Sequence, residues 1–126
     1  MPTAMLLDSN MVIWLDQRPS KLRDVILYQI QNCPQVYLSA VTAWELGIKQ
    51  SLGKLTLVRP VSEFIRENNL TELPVTVEHG EAVSTLPLHH KDPFDRLLIA
   101  QAKVEGAVLV TSDKLLLRYG IPILLV

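Results

Sequence analysis

The sequence is poor in cysteine, in excess charge of either sign and in long apolar runs. Cys33 is the single cysteine. One cysteine excludes a disulfide framework and a cysteine-based zinc site, and it points to a reducing compartment. Lys and Arg number 12 against 13 Asp and Glu, a net charge of -1. A chain so balanced has no basic field to hold nucleic acid by charge alone, so any such contact needs a local patch or a metal. No apolar run approaches the roughly 18 residues of a membrane span. Pro2-Thr3-Ala4 brings no basic region before the first apolar run, so no signal peptide is expected. Repeats, low-complexity tracts and linkers are also missing. The expectation is a soluble cytoplasmic protein.

What is present is apolar. Hydrophobic residues make up 48% of 126 residues and mean hydropathy is +0.23. A chain of this length forms one domain, here expected over residues 1–126, and buries about two-thirds of its unfolded surface. The high mean hydropathy predicts an apolar surface covered by a partner or a second copy. Short apolar runs at Ala4–Leu7, Val36–Leu38, Leu73–Val77, Val108–Thr111 and Ile121–Val126 read as strands. Helical spacing appears at Met11–Leu15, Ser20–Gln31, Val41–Leu52, Val61–Asn69, Glu78–Leu86, Pro93–Glu105 and, for a turn or two, Asp113–Arg118. Pro93 opens the longest of these and Gly106 follows it. Apolar strands alternating with helices predict an α/β sandwich with a parallel sheet of about five strands. Its ligand site is expected beyond the carboxyl ends of the strands, where strand order reverses.

Four acids are candidates for that place. Asp8 ends the first strand and Asp113 follows the Val108–Thr111 strand. Glu45 and Asp95 fall near the starts of two helices. Each has a structural role open to it. Asp8 can cap the next helix, Thr42 and Glu45 fit a capping box, Asp92 and Asp95 suit a helix start, and Asp113 suits a turn. Two features favour a site. Asp95 shares its helix face with Leu98, Ile99 and Ala102, and Asp8 follows Met5-Leu6-Leu7, so both are drawn inward. Unpaired carboxylates at close quarters repel, and a divalent cation relieves that conflict. Carboxylate oxygens suit Mg²⁺ or Mn²⁺.

Four blocks carry a family resemblance. They are Leu6-Leu7-Asp8-Ser9-Asn10, Ser39-Ala40-Val41-Thr42-Ala43-Trp44-Glu45, Asp92-Pro93-Phe94-Asp95-Arg96-Leu97-Leu98-Ile99-Ala100-Gln101-Ala102 and Leu109-Val110-Thr111-Ser112-Asp113. In this order they resemble PIN-domain proteins, and among these the VapC-like toxins of prokaryotic toxin–antitoxin pairs. The resemblance spans essentially the whole chain. It implies a three-layer sandwich around a five-stranded parallel sheet and a metal-dependent ribonuclease. It implies Asp8 and Asp95 as the main metal ligands, Glu45 and Asp113 as the rest of the acidic site, and Ser9 and Thr111 as groups that orient it. It also implies an antitoxin that inserts a basic side chain into the site and, by family habit, a homodimer. Asn10 stands where some members carry histidine; it can hydrogen-bond but not titrate.

The remaining candidates keep two readings each. Arg96 either pairs with a site acid or meets phosphate. Lys49, Lys54, Arg59 and Lys91 either contact RNA or are ordinary solvated charges. His89 and His90 read as a polar loop, and His79 as a helix-surface or cap residue. Trp14 and Trp44 could stack bases, but both fall on apolar stripes and read as core or interface. An antitoxin helix is expected near Trp14 and the Val25–Ile30 segment. A competing reading makes the acidic pocket a docking site for a basic peptide, with little or no nuclease activity. A receiver-like or dehalogenase-like phosphoryl-transfer domain is disfavoured, because Asn10 replaces the second acid and the other signature residues are missing.

Overall fold

The computed structural model describes residues 2–126, and its centre is strand β1 (Ala4–Leu7). β1 pairs in parallel with β2 (Gln35–Ser39) on one side and β4 (Val108–Thr111) on the other. The outer strands are β3 (Thr71–Leu73) and β5 (Ile123–Leu125). The order β3-β2-β1-β4-β5 makes one parallel sheet, so strand order reverses at β1. Six α-helices cover it among the described residues. They are α1 (Ser9–Gln17), α2 (Asp24–Asn32), α3 (Ala40–Ser51), α4 (Val61–Glu67), α5 (Val77–Val83) and α6 (Pro93–Glu105).

The alternation of side chains along each strand decides which helix layer it meets. Met5 and Leu7 point with Val36, Leu38 and Val110 toward Met11, Ile26, Ile30, Leu46 and Phe64 of α1 to α4. Leu6 and Leu109 point with Leu73 to the opposite face, against Leu98, Ile99 and Ala102 of α6. The register places Leu7 beside both Leu38 and Val110, and Leu6 beside Leu109, so the two apolar layers agree across three strands. A one-residue slip would exchange the layers. The expected three-layer α/β sandwich with five parallel strands is therefore what forms.

Several boundaries differ from the sequence reading. The third strand is Thr71–Leu73, not Leu73–Val77, because Pro74 brings no N–H to a ladder. The Ser20–Gln31 helix divides into a 3₁₀ turn at Pro19–Lys21 and α2 from Asp24. α5 stops at Val83, three residues before Leu86. α3 starts at Ala40 with Ser39 as its cap, so Thr42 and Glu45 form no capping box and Glu45 lies in the second turn. α6 keeps its expected bounds. Asp92 caps it, Pro93 is its first residue, and Gly106 closes it at φ 65°, a left-handed conformation that favours glycine.

Candidate active site

The carboxyl edge of the sheet collects the expected acids. β1 delivers Asp8, β4 leads through Thr111 to Asp113, α3 brings Glu45 and α6 brings Asp95. Asp8, Ser9, Asn10, Glu45, Lys49, Asp92, Asp95 and Asp113 line one cleft of about 180 Å³, room for a few waters or a hydrated ion.

Each side chain is aimed by a local contact. Asp8 is buried, and its Oδ1 accepts the Met11 amide of α1 at 3.0 Å. Its Oδ2 accepts the Thr111 hydroxyl at 2.6 Å, and that hydroxyl accepts the Asp113 amide at 3.1 Å. Thr111 therefore links the acid of β1 to the acid after β4. Asp113 Oδ1 caps the following 3₁₀ turn (Lys114–Tyr119) through the Leu115 amide, which leaves Oδ2 for the cleft. Ser9 Oγ donates to Glu45 Oε1 at 2.5 Å, and Lys49, one turn later, sits 3.4 Å from Glu45 Oε2. Asp92 Oδ1 accepts the Phe94 and Asp95 amides at 2.9 and 3.4 Å, which fixes the first turn of α6 beneath Asp95. The capping and site readings of Asp8 and Asp113 are thus compatible, because capping takes only Oδ1 of each.

Negative charge in the cleft is undercompensated. Burial pushes the Asp8 carboxyl above its ordinary value, and Glu45 and Asp113 add to the push against the hydrogen bonds from Thr111 and Met11. Asp95 is pushed up to about 7, first by burial and then by Asp92, Glu45 and Asp8, with His90 pulling the other way. Among the described residues, one carboxylate oxygen each of Asp95 and Asp113 and one ring nitrogen of His90 lie within 4.8 Å of one another. Crowded carboxylate oxygens whose ionised forms are disfavoured make a donor set that fits a hard divalent cation.

His90, expected from sequence in a polar loop, reaches the cleft instead. Its Nε2 lies 3.3 Å from Asp95 and 3.4 Å from Asp113. The signal was its place two residues before the Asp92 cap, since a segment entering α6 must cross the same sheet edge as Asp95.

Arg96 moves the other way. It pairs with no site acid, because successive helix residues are rotated by about 100° and Asp95 already takes the cleft side. Its guanidinium donates to the carbonyls of Pro87 and Val83 at 2.9 and 3.3 Å and reaches the Tyr119 hydroxyl at 3.4 Å. It braces the loop before α6. Arg59 is likewise taken up by Asp16 at 3.0 Å and by Glu67. Of the lysines, Lys49 lines the cleft, while Lys54 and Lys91 are exposed outside its lining. His79 is buried, not on the surface, and forms a capping box with Thr76. Trp44 is 62% exposed with its ring edge against Phe94 at 5.0 Å, so it is not core. Trp14 packs partly buried against the α1 to α4 layer, with Lys21 over its ring. Cys33 is buried at the end of α2.

Comparison with known proteins gives the following. A family model described as the PIN domain matches residues 5–122. Ribonuclease VapC22 of Mycobacterium tuberculosis is 26% identical over 123 residues, 95% of each chain. The structure of VapBC2 from Rickettsia felis bound to a promoter DNA fragment aligns with TM-score 0.74 at 16% identity over 98% of each chain. The DNA-bound VapBC structure from Salmonella typhimurium aligns with TM-score 0.72 at 20% identity over 96% of each chain. At such identities the structural likeness is one of fold.

Proposed function

Because the chain belongs to the PIN domain family, we propose that it is a metal-dependent endoribonuclease and the toxin of a toxin–antitoxin pair. One observation carries the proposal: Asp8, Glu45, Asp95 and Asp113 line a single cleft in which the Asp95 carboxyl is pushed up to about 7. The relative named a ribonuclease supports RNA as the substrate. The whole chain, residues 1–126, is one such domain.

Asp8 and Asp95 would hold Mg²⁺ or Mn²⁺ directly, and Glu45 and Asp113 would complete the site. Such an ion would supply a more acidic water as nucleophile and would offset charge on the phosphodiester oxygens. The protein groups supply aim. Thr111 holds Asp8, Ser9 holds Glu45, and Asn10 offers a neutral hydrogen-bonding group at the rim. Lys49 gives the rim a cation that tempers repulsion of the RNA backbone. Lys54 and Lys91 are weaker candidates for phosphate contact. Arg96 supports the site through the loop it braces.

An acidic cleft also fits a basic side chain from an antitoxin. Val25 and Tyr28 of α2 are 53% and 62% exposed, an apolar strip that a partner's helix can cover. A solved neighbour titled as a toxin–antitoxin complex supports such a partner. A second copy of the chain would cover further apolar surface and make a homodimer. A cytoplasmic setting goes with this reading; among the described residues no helix is long and apolar enough to cross a membrane. In the alternative, the cleft serves only to dock the partner's basic peptide.

The test is cleavage of a mixed tRNA and messenger RNA pool by purified, partner-free protein with Mg²⁺, with Mn²⁺ and with EDTA, beside Asp8→Asn. The expected result is cutting that needs metal and is lost in the variant. Wild-type cutting by Asp8→Asn would overturn the proposed centre. A folded, metal-loaded wild type that cuts nothing would leave the docking reading.

A further inference from the structure

Two aromatic rings stand beside the acids. Trp44 immediately precedes Glu45 on α3, and Phe94 immediately precedes Asp95 on α6. Successive helix residues are rotated by about 100°, so each ring lies to the side of its acid and not over it. The rings meet between the two helices in a T-shaped pair, with centroids 5.0 Å apart and planes at 66°. Phe94 is the anchored member, packed partly buried against the α6 layer. Trp44 is the open one, 62% exposed. Its own helix does not cover it. The residue three positions on is Gly47, which is exposed, and a Cβ there would meet no side chain within 4 Å. Helix side chains lean toward the N-terminus, so a longer residue at 47 would lean toward the indole.

The charge of this edge shows what kind of ligand the ring suits. The cleft is acidic, and Lys49 is the one basic residue in its lining among the described residues. Arg59 and Arg96 are taken up by protein partners. A phosphate backbone therefore gains little affinity from charge here. A base stacked on an aromatic face needs no charge. We propose that Trp44, braced by Phe94, is the platform on which an unpaired base next to the scissile phosphate stacks. Phe94 holds the indole before the nucleotide arrives, so little is lost in ordering it on binding. The stacked base then sets the register of the strand against Glu45 and Asp95. An aromatic face reads no hydrogen-bond pattern, so selection at this nucleotide follows stacking strength and favours the larger purine face. The placement of the cut beside that base rests on the nuclease reading; the stacking does not.

The probe is single-stranded oligoadenylate of about eight nucleotides, with a duplex RNA of the same length for contrast. Asp8→Asn in Mg²⁺ is the parent protein, so that the probe stays whole, and Trp14→Phe is added so that Trp44 is the only indole. The single strand should quench Trp44 fluorescence and the duplex should not. Trp44→Ala should unfold at the temperature of its parent yet bind the single strand roughly five- to 150-fold more weakly, the scale of one lost base stack. Trp44→Phe should keep most of the affinity and Trp44→Leu should not. Deleting the base at one position of the probe should weaken binding to the parent by a similar factor and add nothing in Trp44→Ala. No quenching, parental affinity in Trp44→Ala, or losses that add at every abasic position would each overturn the proposal. A Trp44→Ala change that turns a dimer into a monomer with unchanged RNA affinity would assign the ring to an interface between copies instead. Quenching and abasic coupling, with a wild type that cuts no RNA, would overturn the nuclease reading alone.

Discussion

Helix α6 runs between two polar clusters built on opposite principles. Its first turn enters the acidic cleft. Its middle and last turns reach a second cluster, where Ser39 donates to Gln101 at 2.5 Å, and Gln101 reaches His79 Nδ1 at 3.3 Å and the Pro74 carbonyl at 3.4 Å. His79 Nδ1 also accepts the Thr76 amide at 3.0 Å, and its Nε2 meets Glu105 at 2.8 Å. In that cluster each named polar group has a partner and one acid faces one histidine, so the network is complete with protein atoms alone. In the cleft, Asp8, Glu45, Asp92, Asp95 and Asp113 face, among the basic side chains of the described residues, only Lys49 and His90, and two of the carboxyls are pushed upward. A satisfied buried network ties layers together, whereas an unsatisfied one of a single sign is incomplete until something positive arrives.

The largest test of this contrast is Asp95→Asn. Cleavage should fall on the order of 10²- to 10³-fold, the scale of losing one preorganised charge-stabilising contact. Stability should move the other way. The folded Asp95 carboxyl titrates at about 7 against an ordinary 3.8, so between these values the folded state holds a proton that the unfolded state has released. Stability of metal-free wild type therefore falls as pH rises across that window, and the upward push on Asp8 adds to the fall. The variant should lose the Asp95 share of that slope and, above pH 7, unfold at a higher temperature than wild type when both are stripped of metal. Chemical unfolding of the two proteins across the window checks the sign. Equal slopes would mean that the cleft is not short of positive charge.

His79→Ala tests the other cluster. It should cost about 3 kcal/mol by denaturant unfolding, because the substitution opens a void and leaves buried partners of the imidazole unpaired. Cleavage per folded molecule should be unchanged. A variant that keeps its stability but loses cleavage would break the distinction between the clusters.

The difference between the clusters was only partly legible in the sequence. Residues with one dominant neighbour layer could be read from local pattern: the apolar run of β1, the α6 stripe and the four acids at strand or helix ends. β3 slipped because a three-residue strand has almost no period and Pro74 alone marks its end. His79 and His90 could not be separated on local grounds, since each lies in a polar segment. The layer between α5 and α6 buries the first beside Glu105, and the Asp92 cap turns the second into the cleft. Arg96 failed for a related reason, because adjacency to Asp95 in sequence places it a quarter-turn or more away on the helix. Asp8 and Asp113 read as caps or as site acids from sequence, and the structure shows Oδ1 of each accepting a capping amide, with Oδ2 turned to Thr111 in Asp8 and to His90 in Asp113.

The smallest expected effect belongs to Ser9→Ala. Ser9 is buried, and its hydroxyl is, among the described residues, the one uncharged side chain hydrogen-bonded to Glu45, on the oxygen opposite Lys49. Losing a hydrogen bond to a charged acceptor at a part-buried site should cost about 1 kcal/mol, roughly fivefold in cleavage, with Ser9→Thr retaining a hydroxyl and most of the rate. The Lys49 pair is half open to solvent and so aims Glu45 only loosely. A single-turnover rate for Ser9→Ala equal to that of wild type would mean that Lys49 alone suffices. The cleft would then carry spare contacts, as a structural network does, and its charge excess would be the one property that still sets it apart from the His79 cluster.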